Sequence, residues 1–201
     1  MGRPKALVEL DGEPLVRRAL RALADGGCDP LYVVTGAAAD RVAEVVAAGV
    51  PVTVVHAPDW VEGMGASLRA GLDAVAGSSP NAQLADTKCG TRRREVGDSP
   101  VGVLLHLVDL PGVGAPAIAR LVSLAGGGPE VLARASYEGV PGHPVLLGRA
   151  HWPGVHAAAV GDAGARGYLA GHPGLQLVDC TDVADPRDVD TPDALHRFGG
   201  S

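Results

Sequence analysis

The chain alternates between two hydrophobic rhythms. Short runs of consecutive apolar residues read as buried strands, and apolar residues spaced three and four apart read as one-sided helices. Ala6–Leu10 predicts a brief strand, closed by an Asp11-Gly12 turn. Pro14 then opens a helix with Leu15, Val16, Ala19, Leu20 and Leu23 inward, Arg17, Arg18 and Arg21 outward, and Gly26-Gly27 as its stop. A strand at Leu31–Thr35 leads to a helix at Asp40–Ala48 with Val42, Val45 and Val46 inward. A strand at Pro51–His56 leads to a helix at Met64–Ala76, aligned on Met64, Leu68, Leu72 and Val75. Strands alternating with helices predict right-handed crossovers and a mostly parallel sheet.

The stretch Val101–Val113 (VGVLLHLVDLPGV) predicts the central strand. A short apolar run also suits a buried helix segment; the β-branched residues and the Pro-Gly stop favour the strand. Asp109 stands where that strand runs out. It suits a cation ligand at the sheet edge, and it equally suits a plain turn residue before Leu-Pro. Beyond it, Pro116 opens a helix with Ile118, Leu121 and Val122 inward, closed by Gly126–Gly128. Strands follow at Glu130–Tyr137 and Pro144–Leu147, with Gly139–Gly142 as their turn. Asp162 is expected to cap a short helix reaching Ala170, Gly174–Asp179 is a late strand, and Thr191 caps a last helix opened by Pro192. Gly77–Pro100 breaks the pattern: it is polar, carries Lys88 and Arg92–Arg94, has no period, and is expected to be a disordered insertion.

Composition narrows the class. A chain of 201 residues with 46% apolar residues suits one ordinary domain, and 3% aromatics leave Ala, Val and Leu to build its core. A net charge of -6 argues against a nucleic-acid partner. Cys28, Cys89 and Cys180 are odd in number and far apart, so neither a zinc site nor a disulfide framework follows. A reducing cytoplasm is the expected compartment, with no membrane partner, because no apolar run spans a bilayer and the start lacks a signal-peptide core.

Four clusters could share one sheet edge. Arg3 and Lys5 precede the first helix, although two solvated terminal charges would look the same. The turn Glu62–Ser67 has glycines that would let a ligand near the backbone and a helix start that would face an anion, although an ordinary glycine loop competes. Asp109 is the third. Asp190, before the last helix, is the fourth, although it also reads as a neighbour of the Thr191 cap. Two carboxylates with one or two cations suit a nucleoside triphosphate carrying Mg²⁺, which takes few protein oxygens and keeps water and phosphate oxygens. There is no Walker loop, no GxGxxG after a strand and no HExxH. His143, between Gly142 and Pro144, is a ligand contact or simply a turn residue.

In this order, MGRPKALVELDGEPLV, EGMGASLRAGL, LLHLVDLPGV, GVPGHPVLLGR, GDAGAR and DVDTPDAL resemble the MobA-like nucleotidyltransferase family. The molybdenum cofactor cytidylyltransferase-like branch is the nearest likeness. The resemblance covers nearly all of 1–201, read as a single domain, apart from the 77–100 insertion. It implies a Rossmann-like three-layer α/β sandwich that binds an NTP (CTP or GTP, with CTP favoured) and Mg²⁺. The implied reaction moves a nucleotidyl group to a phosphorylated acceptor such as molybdopterin and releases pyrophosphate. A molybdoenzyme or its chaperone is the implied protein partner. By motif, Lys5 would neutralise the triphosphate with Arg3 beside it, and Asp109 and Asp190 would hold the metal. Gly63, Met64 and Ser67 would lie near nucleotide or acceptor, and His143 and Asp162 on the acceptor side.

Two departures bear on activity. The family has a first strand and a glycine-rich loop ahead of the MGRPK motif, which here opens the sequence, and the insertion has no family counterpart. Two other readings follow: a nucleotide- or cofactor-binding module without turnover, and an NAD(P)H-dependent enzyme like the nicotine blue oxidoreductases, to which the resemblance extends. The second lacks a dinucleotide fingerprint.

Overall fold

The computed structural model describes residues 4–77, the backbone of 82–84, residues 100–190, and Leu195 and Phe198. Arg3, Thr191, Pro192, Cys89, Lys88 and Arg92–Arg94 lie outside the described residues. A small hairpin comes first, β1 (Glu9–Leu10) and β2 (Glu13–Pro14), turned by Asp11 and Gly12 at φ 53° and 76°. Then follow α1 (Leu15–Asp25), β3 (Tyr32–Thr35), α2 (Ala39–Ala47), β4 (Thr53–His56), α3 (Met64–Val75) and β5 (Ala82–Leu84). The second half is β6 (Gly102–Leu105), α4 (Ala115–Val122), β7 (Leu132–Tyr137), β8 (Val140–Gly148), α5 (Trp152–Ala158), α6 (Arg166–Leu169) and β9 (Gln176–Asp179).

Helices cover both faces of the strands. Val16 and Leu20 of α1 and Val42 and Val46 of α2 pack on Val33 and Val52, and α4 packs Ala117 and Leu121 on Ala133, Ala135 and Leu146. On the opposite face, Leu72 of α3, Val155 of α5 and Leu169 of α6 meet Leu132, Val145 and Leu147. Side chains alternate across each strand, so each strand serves both layers. The result is the expected three-layer α/β arrangement. Among the described residues no helix is long and apolar enough to cross a membrane.

Strand directions are mixed rather than mostly parallel. β3 and β4 run parallel, as do β7 and β9, while β5 runs against β4 and β8 runs against both β6 and β7. The cause is local. Glu138 and Gly139 take φ values of 51° and 80°, a two-residue turn that makes β7 and β8 a hairpin. The turn is therefore tighter than Gly139–Gly142, and β8 is longer than Pro144–Leu147. The central strand is shorter than Val101–Val113. Its ladder with β8 ends at Leu105 opposite Val145, and the next residue on β8 is Pro144, which has no N–H to extend it.

Other elements also depart from the sequence pattern. Lys5–Leu7 is a single 3₁₀ turn rather than strand, and Pro14 lies in β2, one residue before the helix. Asp162 caps no helix of its own: Gly161–Ala163 is a 3₁₀ turn, and α6 starts at Arg166. The insertion contributes β5 to the edge of β4; its residues 78–81 and 85–99 lie outside the described residues. Helix α5 has no counterpart in the sequence reading, because Pro153 and Gly154 look like breakers. Pro153 falls in the first turn, where its missing N–H costs nothing. Gly154 packs where a Cβ would sit 2.4 Å from the Tyr168 ring.

Beyond the β1-β2 hairpin, the strands fall into two ladders, β3-β4-β5 and β6-β8-β7-β9. Among the described residues the outer edges of β3 and β6 have no ladder partner. Helix α3 spans both, touching β3 and packing beside Val103 and Leu105. On the other side a cavity of about 210 Å³ lies between α1 and the loop after β6, lined by Leu15, Arg18, His106, Val108 and Leu110 among others. The His106 Nδ1 is buried there without a partner among the described residues.

An extended segment, 185–189, straps the loop between β6 and α4. Asp185 N–H donates to Gly112 O at 3.1 Å and Val189 N–H to Asp109 O at 3.0 Å. The Val189 side chain is buried against Leu10 and Leu15. At Gly112 a Cβ would stand 2.6 Å from the Asp185 carbonyl oxygen, so only glycine lets the strap close.

Two expectations follow. Gly112→Ala forces these backbones apart and lowers stability by about 1–3 kcal/mol; a thermal midpoint unchanged from wild type contradicts the strap geometry. Burial pushes the His106 imidazole down from 6.5 to about 4, with the nearby His143 adding to the effect. The unfolded chain therefore takes up this proton first as pH falls below 6.5, and stability present above that value is lost on the way to about 4. Between about pH 7 and pH 4.5, urea denaturation of wild type should show about 2 kcal/mol more loss than His106→Leu. Equal losses in the two proteins exclude His106 as the source.

Candidate functional site

Lys5, Asp109 and Asp190 meet, although 104 and 185 residues of sequence separate the lysine from its two partners. The Lys5–Leu7 turn places the amine. Val8 N–H closes that turn on Lys5 O at 3.0 Å, and Leu15 N–H ties Val8 O to the start of α1 at 2.8 Å. The strap places the two acids, since Val189, bonded to Asp109 through the backbone, immediately precedes Asp190. Lys5 Nζ donates to Asp109 Oδ2 at 2.8 Å and to Asp190 Oδ1. Asp109 is the better-seated acid: its side chain is 20% exposed and that of Asp190 53%.

Charge is concentrated here. Partial burial works against the Lys5 ammonium, but hydrogen bonds to Asp109 and Asp190 outweigh it and hold the amine above its ordinary range. The same hydrogen bond holds Asp190 below the usual carboxylate range. Asp188 moves the other way, raised by burial and then by the Asp190 charge. One ammonium thus faces two acids, and a third acid sits beside them. Among the described residues no group of three His, Cys, Asp or Glu side chains is placed to hold a metal by itself. Two hard oxygen donors suit a cation that takes its other ligands from water or phosphate, and the ammonium now stands between them.

Gly63, Met64 and Asp162 form a second cluster. Met64 N–H, at the start of α3, lies 3.4 Å from Asp162 Oδ1. Gly63 has φ 114°, and a Cβ there would be 2.5 Å from that carboxylate; a Cβ on Gly65 would be 2.6 Å from Ala159 O. The glycines of this turn therefore admit the chain's own 159–162 segment, and Asp162 supplies the anion at the helix start. That corrects the expectation of an open anion site in the loop. Ser67 is half-buried in the first turn of α3, and Arg69 bonds Ala159 O and lies 3.3 Å from Glu62. Trp60, Val61, Met64 and Val160 leave an exposed apolar lip around it.

His143 lies on β8 beside the end of β6. Its Nδ1 is 3.5 Å from Leu105 O, and its carbonyl accepts from the Tyr137 hydroxyl at 2.6 Å. Burial, with Arg134 and Arg166 nearby, lowers its imidazole below the usual histidine range, against the opposing pull of Leu105 O and Asp109. It lies in strand β8 rather than in a turn. The two arginines are residues that sequence reasoning missed. Arg134 left a signal, a charge inside an otherwise small or apolar strand (LARASY), and Arg166 closes the GDAGAR stretch.

Comparison with known proteins gives the family and the fold. The family model of the MobA-like NTP transferase domain matches residues 1–177. A nicotine blue oxidoreductase of Paenarthrobacter nicotinovorans is 32% identical over 207 residues, covering 98% of this chain and 89% of the relative. A manganese complex of Rv0371c from Mycobacterium tuberculosis H37Rv superposes with a TM-score of 0.70 at 24% identity, covering 98% of this chain and 92% of that one. A nucleotidyl transferase from Methanothermobacter thermautotroptrophicus gives 0.70 at 18% identity, covering 96% and 82%. These neighbours share the Rossmann-like α/β fold. The chain belongs to the MobA-like NTP transferase family.

Proposed function

We propose that the chain is a nucleotidyltransferase acting as one domain in the cytoplasm, moving CMP from CTP to a phosphorylated acceptor of the molybdopterin type. The observation that carries the reading is the pair Asp109 and Asp190 gathered around the Lys5 ammonium. A terminal phosphate oxygen of the acceptor attacks the α-phosphorus of CTP. The bond from that phosphorus to the bridging oxygen breaks, and pyrophosphate leaves with the electron pair. Asp109 and Asp190 would hold Mg²⁺, which when bound offsets charge on the phosphates. Manganese in the Rv0371c structure is consistent with a divalent cation in the family. Lys5, held beside the two acids, would direct its charge to the triphosphate, and Arg3 would add to it. Gly63, Met64, Ser67, His143 and Asp162 would line the side that receives base and acceptor. Fixed charge and positioning carry such transfers, and no covalent enzyme intermediate is required.

The oxidoreductase relative favours a second reading, NAD(P)H-dependent reduction of a small aromatic compound. Two assays separate the readings: pyrophosphate release from CTP with Mg²⁺ and molybdopterin, and oxidation of NAD(P)H with nicotine blue. Transfer predicts pyrophosphate release that falls by about 10²-fold or more in Asp109→Asn and in Lys5→Met, with circular dichroism unchanged. Normal turnover by Asp109→Asn sinks the metal assignment. NAD(P)H oxidation without pyrophosphate release sinks transfer itself.

A further inference from the structure

We propose that Arg134 and Arg166, on the α3/α6 face beside His143, form a binding subsite for the phosphate group of the acceptor. The word acceptor rests on the transfer reading; the anion subsite does not.

The sheet register builds the first half. Arg134 of β7 pairs with Val145 of β8, which pairs with Leu105 at the end of β6. Val145 and Leu105 both pack on the α3/α5/α6 side, so the Arg134 side chain leaves the sheet on that face. His143 lies two residues before Val145 on the same strand. The second half comes from α6, whose Tyr168 and Leu169 pack with Val145 and Leu132, bringing Arg166 at its first position to the border of the same face.

Neither guanidinium is answered by an acid. Among the described residues no carboxylate forms an ion pair with Arg134 or Arg166, while Arg21, Arg69, Arg120 and Arg187 each have one. Arg134 donates only through Nε, to Gly142 O at 2.8 Å, which fixes the plane of the fork and leaves both terminal amino groups without a partner among the described residues. The Arg166 side chain makes no hydrogen bond among the described residues and is exposed. Asp162, four residues upstream, is turned to the Met64 amide instead. Burial and then the charge of Arg166 depress the Arg134 guanidinium, so the two cations repel one another. Such a pair, partly desolvated and without a counterion, favours a multiply charged anion, and a pre-set guanidinium fork matches phosphate oxygens bidentately. His143, kept neutral, offers a hydrogen bond without a third charge. The acid-rich end formed by Asp109, Asp188 and Asp190 repels the same anion, which separates a metal-carrying nucleotide at one end from a bare phosphate at the other.

Calorimetric titration of inorganic phosphate into the full chain, without nucleotide or metal, tests the subsite. Arg134→Gln and Arg166→Gln are each expected to weaken phosphate binding by about tenfold, leaving the affinity for CTP with Mg²⁺ unchanged. Arg166 is exposed, so its variant keeps the fold; Arg134→Lys, which keeps the charge and loses the fork, should weaken phosphate binding less than Arg134→Gln. Failure of wild type to bind millimolar phosphate, or variants that bind it as wild type does, overturns the subsite. Loss of CTP affinity in proportion to phosphate affinity assigns the arginines to the nucleotide and overturns the acceptor assignment. Phosphate binding lost in the variants, with no pyrophosphate release from wild type, keeps the subsite and sinks the transfer reading.

Discussion

Two backbone hydrogen bonds hold the acidic end together, from Asp185 to Gly112 and from Val189 to Asp109. They bring a segment near the end of the chain against the loop after β6, and their register sets Asp190 beside Asp109. Burying Val189 on Leu10 and Leu15 extends the connection to the N-terminal hairpin, which follows directly on the 3₁₀ turn that carries Lys5. Three remote stretches are thereby fixed relative to one another by main chain and apolar packing. The ion pairs come afterwards. Exposed pairs are individually weak, so the charges of Lys5, Asp109 and Asp190 are a consequence of the fold's closure there and contribute little to causing it.

The same region carries the fold's least satisfied part. Among the described residues, the outer edges of β3 and β6 have no ladder partner, and the His106 nitrogen has none in the cavity beside α1. Buried polar groups are nearly always paired, and sheet edges leave donors and acceptors open. Stability in this seam therefore comes from helices: α3 bridges the two ladders on one face, and α1 packs on α4 on the other, where a Cβ on Gly26 would collide with Ile118. The loop bearing Asp109 hangs from this seam on one side and from the strap on the other.

Helix positions were readable from the sequence because each has a clean apolar stripe: α1, α2, α3 and α4 fall within a residue or two of the periodicity. Strand pairing was not. Alternating elements suggested parallel neighbours, but direction in the second half is decided by the two-residue turn at Glu138–Gly139 and the ladder stop at Pro144, both of which depend on partners. The convergence of Lys5, Asp109 and Asp190 was readable from the sheet edge their loops would share and from the order of motifs, but not from the strap that produces it, 185–189, which has no period and little apolar content beyond Val189. The glycines of Gly63–Gly65 misled for a similar reason: close approach was correct, but the approaching group is the chain's own 159–162 segment. Arg134 and Arg166 escaped notice because a lone arginine in a strand or at a helix start has no meaning until the register puts two on one face.

The site has an electrical direction. Among the described residues, acids outnumber the amine at one end, and at the other no carboxylate pairs with the two guanidiniums beside His143. In the proposed reaction both substrates are polyanions, and bringing their phosphates together is the chief electrostatic cost. A uniformly basic pocket would bind both without telling them apart. An acid end rejects a naked phosphate and accepts one that arrives with a divalent cation, while a basic end does the reverse. Discrimination of this kind comes from repulsion at the wrong end as much as attraction at the right one. It is helped by an uncharged middle, and burial of His143 beside Leu105, which lowers its imidazole, works in that direction.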